Sequence, residues 1–251
     1  MYITLLVLFI IPLCTALLAY ARPAICKNEI TTSLLAFGGS YLLSFIAVHL
    51  LPELFLKTKS IDYNIIGMGL AIGFFFQTLL DLYSTGVAHG HVTNEPTNNA
   101  LQVGKATTLL LALSMHALLE GFLLNTSSQD FCSHYHHELG IAVAILLHKV
   151  PVSFVLTTTL IHWKHSKKTI LLYMLLFSMA TPIGWLINYS SQQIKIFSLQ
   201  RFIILRAVAI GNLLHIATTI LSESNPEHNL NNKKIYPIIL GALLPMVTMF
   251  L

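Results

Sequence analysis

The chain has 251 residues, 55% of them hydrophobic and only 10% charged, with a formal net charge of +4. With a mean hydropathy of +0.73, that balance excludes a water-covered globule, because too few polar side chains exist to cover one. It points to an all-α polytopic membrane protein, since a backbone crossing about 30 Å of hydrocarbon satisfies its own hydrogen bonds as helices of about 20 residues.

Eight apolar segments follow one another at residues 1–20, 33–53, 64–86, 106–125, 139–161, 169–189, 202–222 and 235–251. No stretch between them could hold a sizeable soluble domain, so a single transmembrane domain over 1–251 is expected. Segment 1 has its positive charges, Arg22 and Lys27, after it rather than before it, which reads as a retained helix with an outer N-terminus, not a leader. In that orientation the cytoplasmic loops hold Arg22, Lys27, Lys105, Lys164, Lys167, Lys168, Lys233 and Lys234, against Lys57, Lys59, Lys195 and Arg201 outside. This is a positive-inside pattern, and an even helix number puts both termini outside. The net charge is therefore topology and not a nucleic-acid surface. Cys14, Cys26 and Cys132 fall within a helix and on opposite sides of the membrane, so no disulfide framework is implied.

Segment 2 carries Gly38 and Gly39 and then, at its outer end, "HLLPE", with His49 and Glu53 flanking Pro52. Segment 3 opens on "GMGLAIG", whose Gly69 and Gly73 suit close helix packing, and reaches Asp81 four residues after Gln77. Segment 4 contains "LSMHALLEGFLL": His116 and Glu120 stand at i and i+4, on one helix face and near mid-span. Segment 5 has His148 at similar depth in "ILLHKVPVSF", segment 6 has "TPIGW", and segment 7 has His215 and Glu223. An ionisable group at the centre of a span costs on the order of 2.5–3.5 kcal/mol on insertion scales, so each needs compensation.

Segments 4 and 5 are expected to be antiparallel neighbours, which brings His148 to the depth of His116 and Glu120. Two imidazoles and a carboxylate form a site suited to zinc or a neighbouring divalent transition metal. Pro52, Pro151 and Pro182 leave the carbonyls of Val48, Leu147 and Ser178 without helical donors, and in a membrane such backbone is tolerated where it is buried in protein or lines a wet cavity. His49 and Glu53 read as an entrance for the cation; Asp81, His215 and Glu223 read as an exit. The loop histidines, His89 and His91 inside and His134, His136 and His137 outside, could capture metal. Each of these groups also has a bland reading, as packing partner or solvated helix end.

"HALLEG", "HKVPVSF", "TPIGW" and "HLLPE", in their order and spacing, resemble the ZIP (Zrt/Irt-like) metal transporters over essentially the whole chain. The resemblance implies eight helices with both termini outside and import of zinc, with Fe²⁺, Mn²⁺ or Cd²⁺ as further cargo. It also implies a metal-binding core on helices 4 and 5 and an elevator-like movement of a helix bundle. On that resemblance His116 and Glu120 occupy helix-4 ligand positions and His148 the first helix-5 ligand position. Family members with a two-metal core have Asn where this chain has Ala117. After the first helix-5 ligand they carry an acid or amide, then a Glu, where this chain has Lys149 and Val152. A second metal site is therefore expected to be absent. A subgroup of the family shares the His-Lys pair, which implies that the Lys149 ammonium replaces the second cation. The primary site is then one ligand short, to be completed by water or by a carbonyl such as that of Leu147.

The expected function is inward transport of a divalent metal, Zn²⁺ above all, by a protein that is not an enzyme, holds no prosthetic group and lies in the plasma membrane, with a homodimer as candidate assembly. Because histidine binds metal only when unprotonated, uptake should weaken as pH falls through about 6–7. The competing class is an intramembrane metal-dependent hydrolase built on the same His/Glu cluster, although His-Glu-x-x-His is absent from the sequence.

Overall fold

The computed structural model describes residues 2–21, 29–56, 62–83, 99–124, 135–194, 198–223 and 232–247; side chains at 29–32, 99–102, 135–139, 199, 223 and 232–234 are outside that description. Within it the fold is all-α. In chain order the helices are α1 (Tyr2–Ala21), α2 (Glu29–Phe45, then a π turn Ile46–Leu50, then Leu51–Leu56), α3 (Tyr63–Tyr83), α4 (Asn99–Leu123), α5 (Tyr135–His162), α6 (Lys167–Gln193), α7 (Leu199–Glu223) and α8 (Asn232–Val247). Seven of these are long and apolar enough to cross a membrane, and α8 is a shorter apolar helix. The chain is a polytopic membrane protein.

Several helices overrun the apolar segments. Asn99–Leu123 begins ahead of residue 106 and Tyr135–His162 ahead of 139, because hydropathy marks the span in lipid whereas helical hydrogen bonding continues beyond it. The π turn Ile46–Leu50 lies immediately before Pro52, and the Leu51 N–H reaches back to the Ile46 carbonyl. A single wide turn is a common way for a membrane helix to reassign the backbone groups that proline disturbs. At the start of α6 the Ser166 hydroxyl accepts from the Thr169 N–H at 3.2 Å, capping an otherwise open donor.

The helices sort into two groups. α4 packs along α6, and α1 along α5 and α6; α2 packs along α8 and α7, and α3 along α7. Glycines set the closest seams. A Cβ at Gly121 would collide with the Thr181 carbonyl, and one at Gly184 with the Leu118 carbonyl, so α4 and α6 touch backbone to backbone. Gly73 and Gly211 do the same for α3 and α7 against Val208 and Leu70. Without a hydrophobic difference between lipid and side chain, such close approach is what holds membrane helices together. A core that includes Leu109, Leu113, Leu156, Leu160 and Phe177 fills the space between α4, α5 and α6. A second core, with Leu42, Ile46, Ile145, Ile210 and Leu213 among its members, joins α2, α5 and α7. The two groups meet where α4 and α5 face α2 and α7.

Candidate metal centre

Helical spacing delivers the ligands. His116 and Glu120 are one turn apart on α4, and α5 crosses there with His148; all three are buried, at 3%, 1% and 1% exposure. Their ligand atoms lie within 4.8 Å of one another, and they are the group of three or more His, Cys, Asp or Glu so arranged among the described residues. His148 Nε2 stands 2.7 Å from Glu120 Oε1, and His116 Nε2 approaches the same oxygen. The two rings sit 5.5 Å apart, tilted by 51°.

The far side of each ring settles what the near side presents. His148 Nδ1 is 2.8 Å from the Ala144 carbonyl, an acceptor only, so Nδ1 carries the proton. His116 Nδ1 is 2.9 Å from Asn212 Oδ1 on α7 and is likewise the donor. In neutral rings both Nε2 atoms are then bare lone pairs aimed at a carboxylate oxygen. In that form the two imidazoles and the carboxylate turn three electron-pair donors towards one point, which is the donor set of a divalent transition-metal site.

Lys149 closes the other side. Its Nζ donates to Glu120 Oε2 at 3.3 Å and to Thr181 Oγ1, and lies 4.9 Å from the Phe177 ring centroid. Thr181 passes its own proton to the Ala117 carbonyl at 3.0 Å. The ammonium thus has an anion, a hydroxyl and an aromatic face around it although only 1% exposed. The Leu147 carbonyl, which Pro151 frees, faces Gly38 of α2, where a Cβ would lie 3.2 Å from its oxygen.

The other sequence-expected acceptors are more scattered. His49 Nε2 bonds the Pro245 carbonyl of α8 at 2.9 Å, and Glu53 Oε1 pairs with Arg206 Nη2 of α7 at 3.4 Å. Asp81 and His215 converge, with Nε2 to Oδ2 at 2.8 Å. The side chain of Glu223, Lys233 and Lys234, and the loop residues His89, His91, His134, Cys26 and Cys132, lie outside the described residues, as do the side chains of His136 and His137.

Sequence reasoning missed Arg206 and Asn212 altogether and gave Gln77 and the Thr181 of "TPIGW" no role. Gln77 and Asn212 are buried at 2% and 0% exposure. They extend the site: Asn212 Nδ2 donates to Gln77 Oε1 at 2.7 Å, and Gln77 Nε2 donates to Asp81 Oδ1 at 2.9 Å. Arg206 carried a usable signal, an ionisable group inside an apolar span. The uncharged amides carried none.

A model of the family described as ZIP zinc transporter matches residues 95–249, more than half of the chain. The chain belongs to the ZIP family. That match takes in α4 to α8 and every residue of the His116, Glu120 and His148 cluster. The family is one of transporters, not of enzymes. Zinc transporter ZIP9 of Micropogonias undulatus is 27% identical over 199 residues, covering 72% of this chain and 63% of that protein. Zinc transporter ZIP9 of Xenopus tropicalis is 28% identical over 198 residues, covering 72% and 64%. Protein zntD of Dictyostelium discoideum is 27% identical over 135 residues, with 53% of this chain and 19% of that protein covered. The chain therefore spans a little under two thirds of the length of the ZIP9 relatives it matches.

Proposed function

We propose that this chain, as a single transmembrane domain with both termini outside, carries divalent transition-metal ions, Zn²⁺ above all, into the cytoplasm of the cell through the plasma membrane. His116, Glu120 and His148 hold the ion at mid-span. The observation that carries this reading is the convergence of their ligand atoms within 4.8 Å in a buried position, with two bare imidazole nitrogens and a carboxylate. The zinc-transporter description of the family supports the cargo. Fe²⁺, Mn²⁺ and Cd²⁺ are further substrates that borderline nitrogen and oxygen ligands accept. Lys149 stands in for a second cation, so one ion binds per chain. Three protein ligands leave a place for water, and incomplete coordination suits a carrier that must release what it binds.

His49 and Glu53 form the entrance in this reading, and Asp81, His215 and Glu223 the exit; a homodimer is the assembly. The hydrolase alternative loses ground, because among the described residues no second carboxylate joins Glu120 in the cluster to act as general base.

Uptake of radiolabelled zinc into proteoliposomes tests the proposal. Saturable uptake is expected from the native chain and is expected to be lost in Glu120→Gln and His148→Ala. Because histidine binds metal only when unprotonated, uptake should also weaken with acidification. Uptake that survives both substitutions would remove the site from the pathway, and uptake that climbs steadily with acidification would replace simple proton competition by proton coupling.

A further inference from the structure

The metal cluster does not end at His116. Behind it a file of hydrogen bonds runs through α7 and α3: His116 Nδ1 to Asn212 Oδ1 at 2.9 Å, Asn212 Nδ2 to Gln77 Oε1 at 2.7 Å, Gln77 Nε2 to Asp81 Oδ1 at 2.9 Å, and His215 Nε2 to Asp81 Oδ2 at 2.8 Å. Each link constrains the next. An ionised carboxylate only accepts, so Gln77 must turn its NH₂ to Asp81 and its carbonyl to Asn212. Asn212 must then turn its NH₂ to Gln77, which leaves its carbonyl for His116. A neutral imidazole has only one way to answer, with Nδ1–H as donor and Nε2 bare.

We infer that Asp81 is a positioning residue for His116: through Gln77 and Asn212 it sets the tautomer of that histidine and so keeps Nε2 available to the metal. The relay is a carboxylate–histidine pair of the kind that orients metal ligands, extended by two amides. All three donations run towards Asp81, so its negative charge also polarises the file and makes Nε2 a stronger donor. His116 belongs to the α1, α4, α5 and α6 group, whereas Gln77, Asp81 and Asn212 belong to α3 and α7. The relay is complete only when the two groups stand as they do in this structure, and a relative displacement would release the tautomer together with the bond. This role is additional to that of exit acceptor, and it rests on the reading of His116 as a metal ligand.

The test uses the full-length protein in nanodiscs with ¹⁵N-labelled histidine. Long-range ¹H–¹⁵N spectra report the tautomer of His116 without metal, its signals assigned by their loss in His116→Gln, and zinc titration reports affinity. Asp81→Asn is nearly isosteric but can offer either face to Gln77. It is expected to give His116 mixed Nδ1–H and Nε2–H forms and to weaken zinc binding about 10- to 100-fold, the usual cost of losing such a partner. The double variant Gln77→Glu/Asp81→Asn, which exchanges acid and amide, again gives Asn212 an acceptor-only neighbour. It is expected to restore the Nδ1–H form and bring the affinity back to within about tenfold of native.

An Asp81→Asn protein with an unchanged His116 spectrum and native affinity overturns the relay. So does a loss of affinity that the exchanged pair fails to restore, which would make Asp81 a ligand or a packing residue instead. Glu120→Gln separates the two levels of argument: if it leaves zinc affinity unchanged, the metal site itself fails, while the metal-free spectra still decide whether Asp81 governs the tautomer.

Discussion

Lys149 puts a full positive charge beside the carboxylate that is to hold a dication. Its ammonium is 3.3 Å from Glu120 Oε2, with both side chains 1% exposed. Breaking a buried pair by removing one partner costs about 3–5 kcal/mol, because the remaining charge is stranded. Lys149→Met is therefore expected to lower the thermal midpoint of the metal-free protein in detergent, and zinc should recover more of that loss than it adds to the native chain. An unchanged midpoint, or a zinc response no larger than native, would mean that the ammonium does not balance Glu120. Charges inside apolar spans are conspicuous in a sequence, and that is why His116, Glu120 and His148 were legible, whereas Lys149 was picked out by the family resemblance and Arg206 was passed over. Asn212, Gln77 and Thr181 were not legible, because an uncharged polar residue in a span is inexpensive and common. Its meaning lies in a partner on another helix, which linear spacing does not encode. His49 and Glu53, four residues apart, suggest one acceptor pair, and that spacing gives no sign of the Pro245 carbonyl and Arg206 that they meet on neighbouring helices.

At the scale of the element, the seam between α4 and α6 decides whether the cluster keeps its shape. Gly121 and Gly184 allow the two backbones to meet directly beside Glu120 and at Thr181, which Lys149 needs. A side chain at position 184 would run into the Leu118 carbonyl, a backbone atom that cannot rotate away. Gly184→Val should destabilise the protein by about 1–3 kcal/mol, as overpacking does, and weaken zinc binding by displacing Thr181 and Lys149. Gly67 on α3 is the control, with nothing within 4 Å of an added Cβ. Gly67→Ala should be neutral or raise stability by about 0.5–1 kcal/mol, since alanine is the better helix former. Equal losses in the two variants, followed by thermal unfolding, would dissociate the seam from the site. Segments 5, 6 and 7 needed no more than their ends extended, whereas Gly121 and Gly184 went unread inside "HALLEG" and "TPIGW", where histidine, glutamate and proline drew the interpretation.

For the molecule as a whole, the open question of motion concerns the boundary between the two helix groups. Beyond the expected neighbourhood of segments 4 and 5, which helices pair could not be inferred beforehand, because helices apolar on most faces carry little periodic signal and their partners are chosen by small residues and cross-helix polar contacts. The structure supplies a place to interrogate that boundary. A Cβ built at Gly38 of α2 lies 3.7 Å from the Leu147 Cβ of α5, within the range of about 3.5–4.5 Å that a disulfide requires. Gly38 and Leu147 stand on opposite groups, and Leu147 immediately precedes a proposed ligand. In a chain with Cys14, Cys26 and Cys132 replaced by serine, Gly38→Cys with Leu147→Cys should therefore cross-link on oxidation. If carriage of the ion requires one group to move past the other, the oxidised protein will bind zinc with near-native affinity yet transport none, and reduction will restore uptake. Transport that continues through the closed disulfide would show that the ion passes along a fixed path between the groups, with the His116, Glu120 and His148 cluster acting as a station in a channel rather than as the seat of a moving carrier.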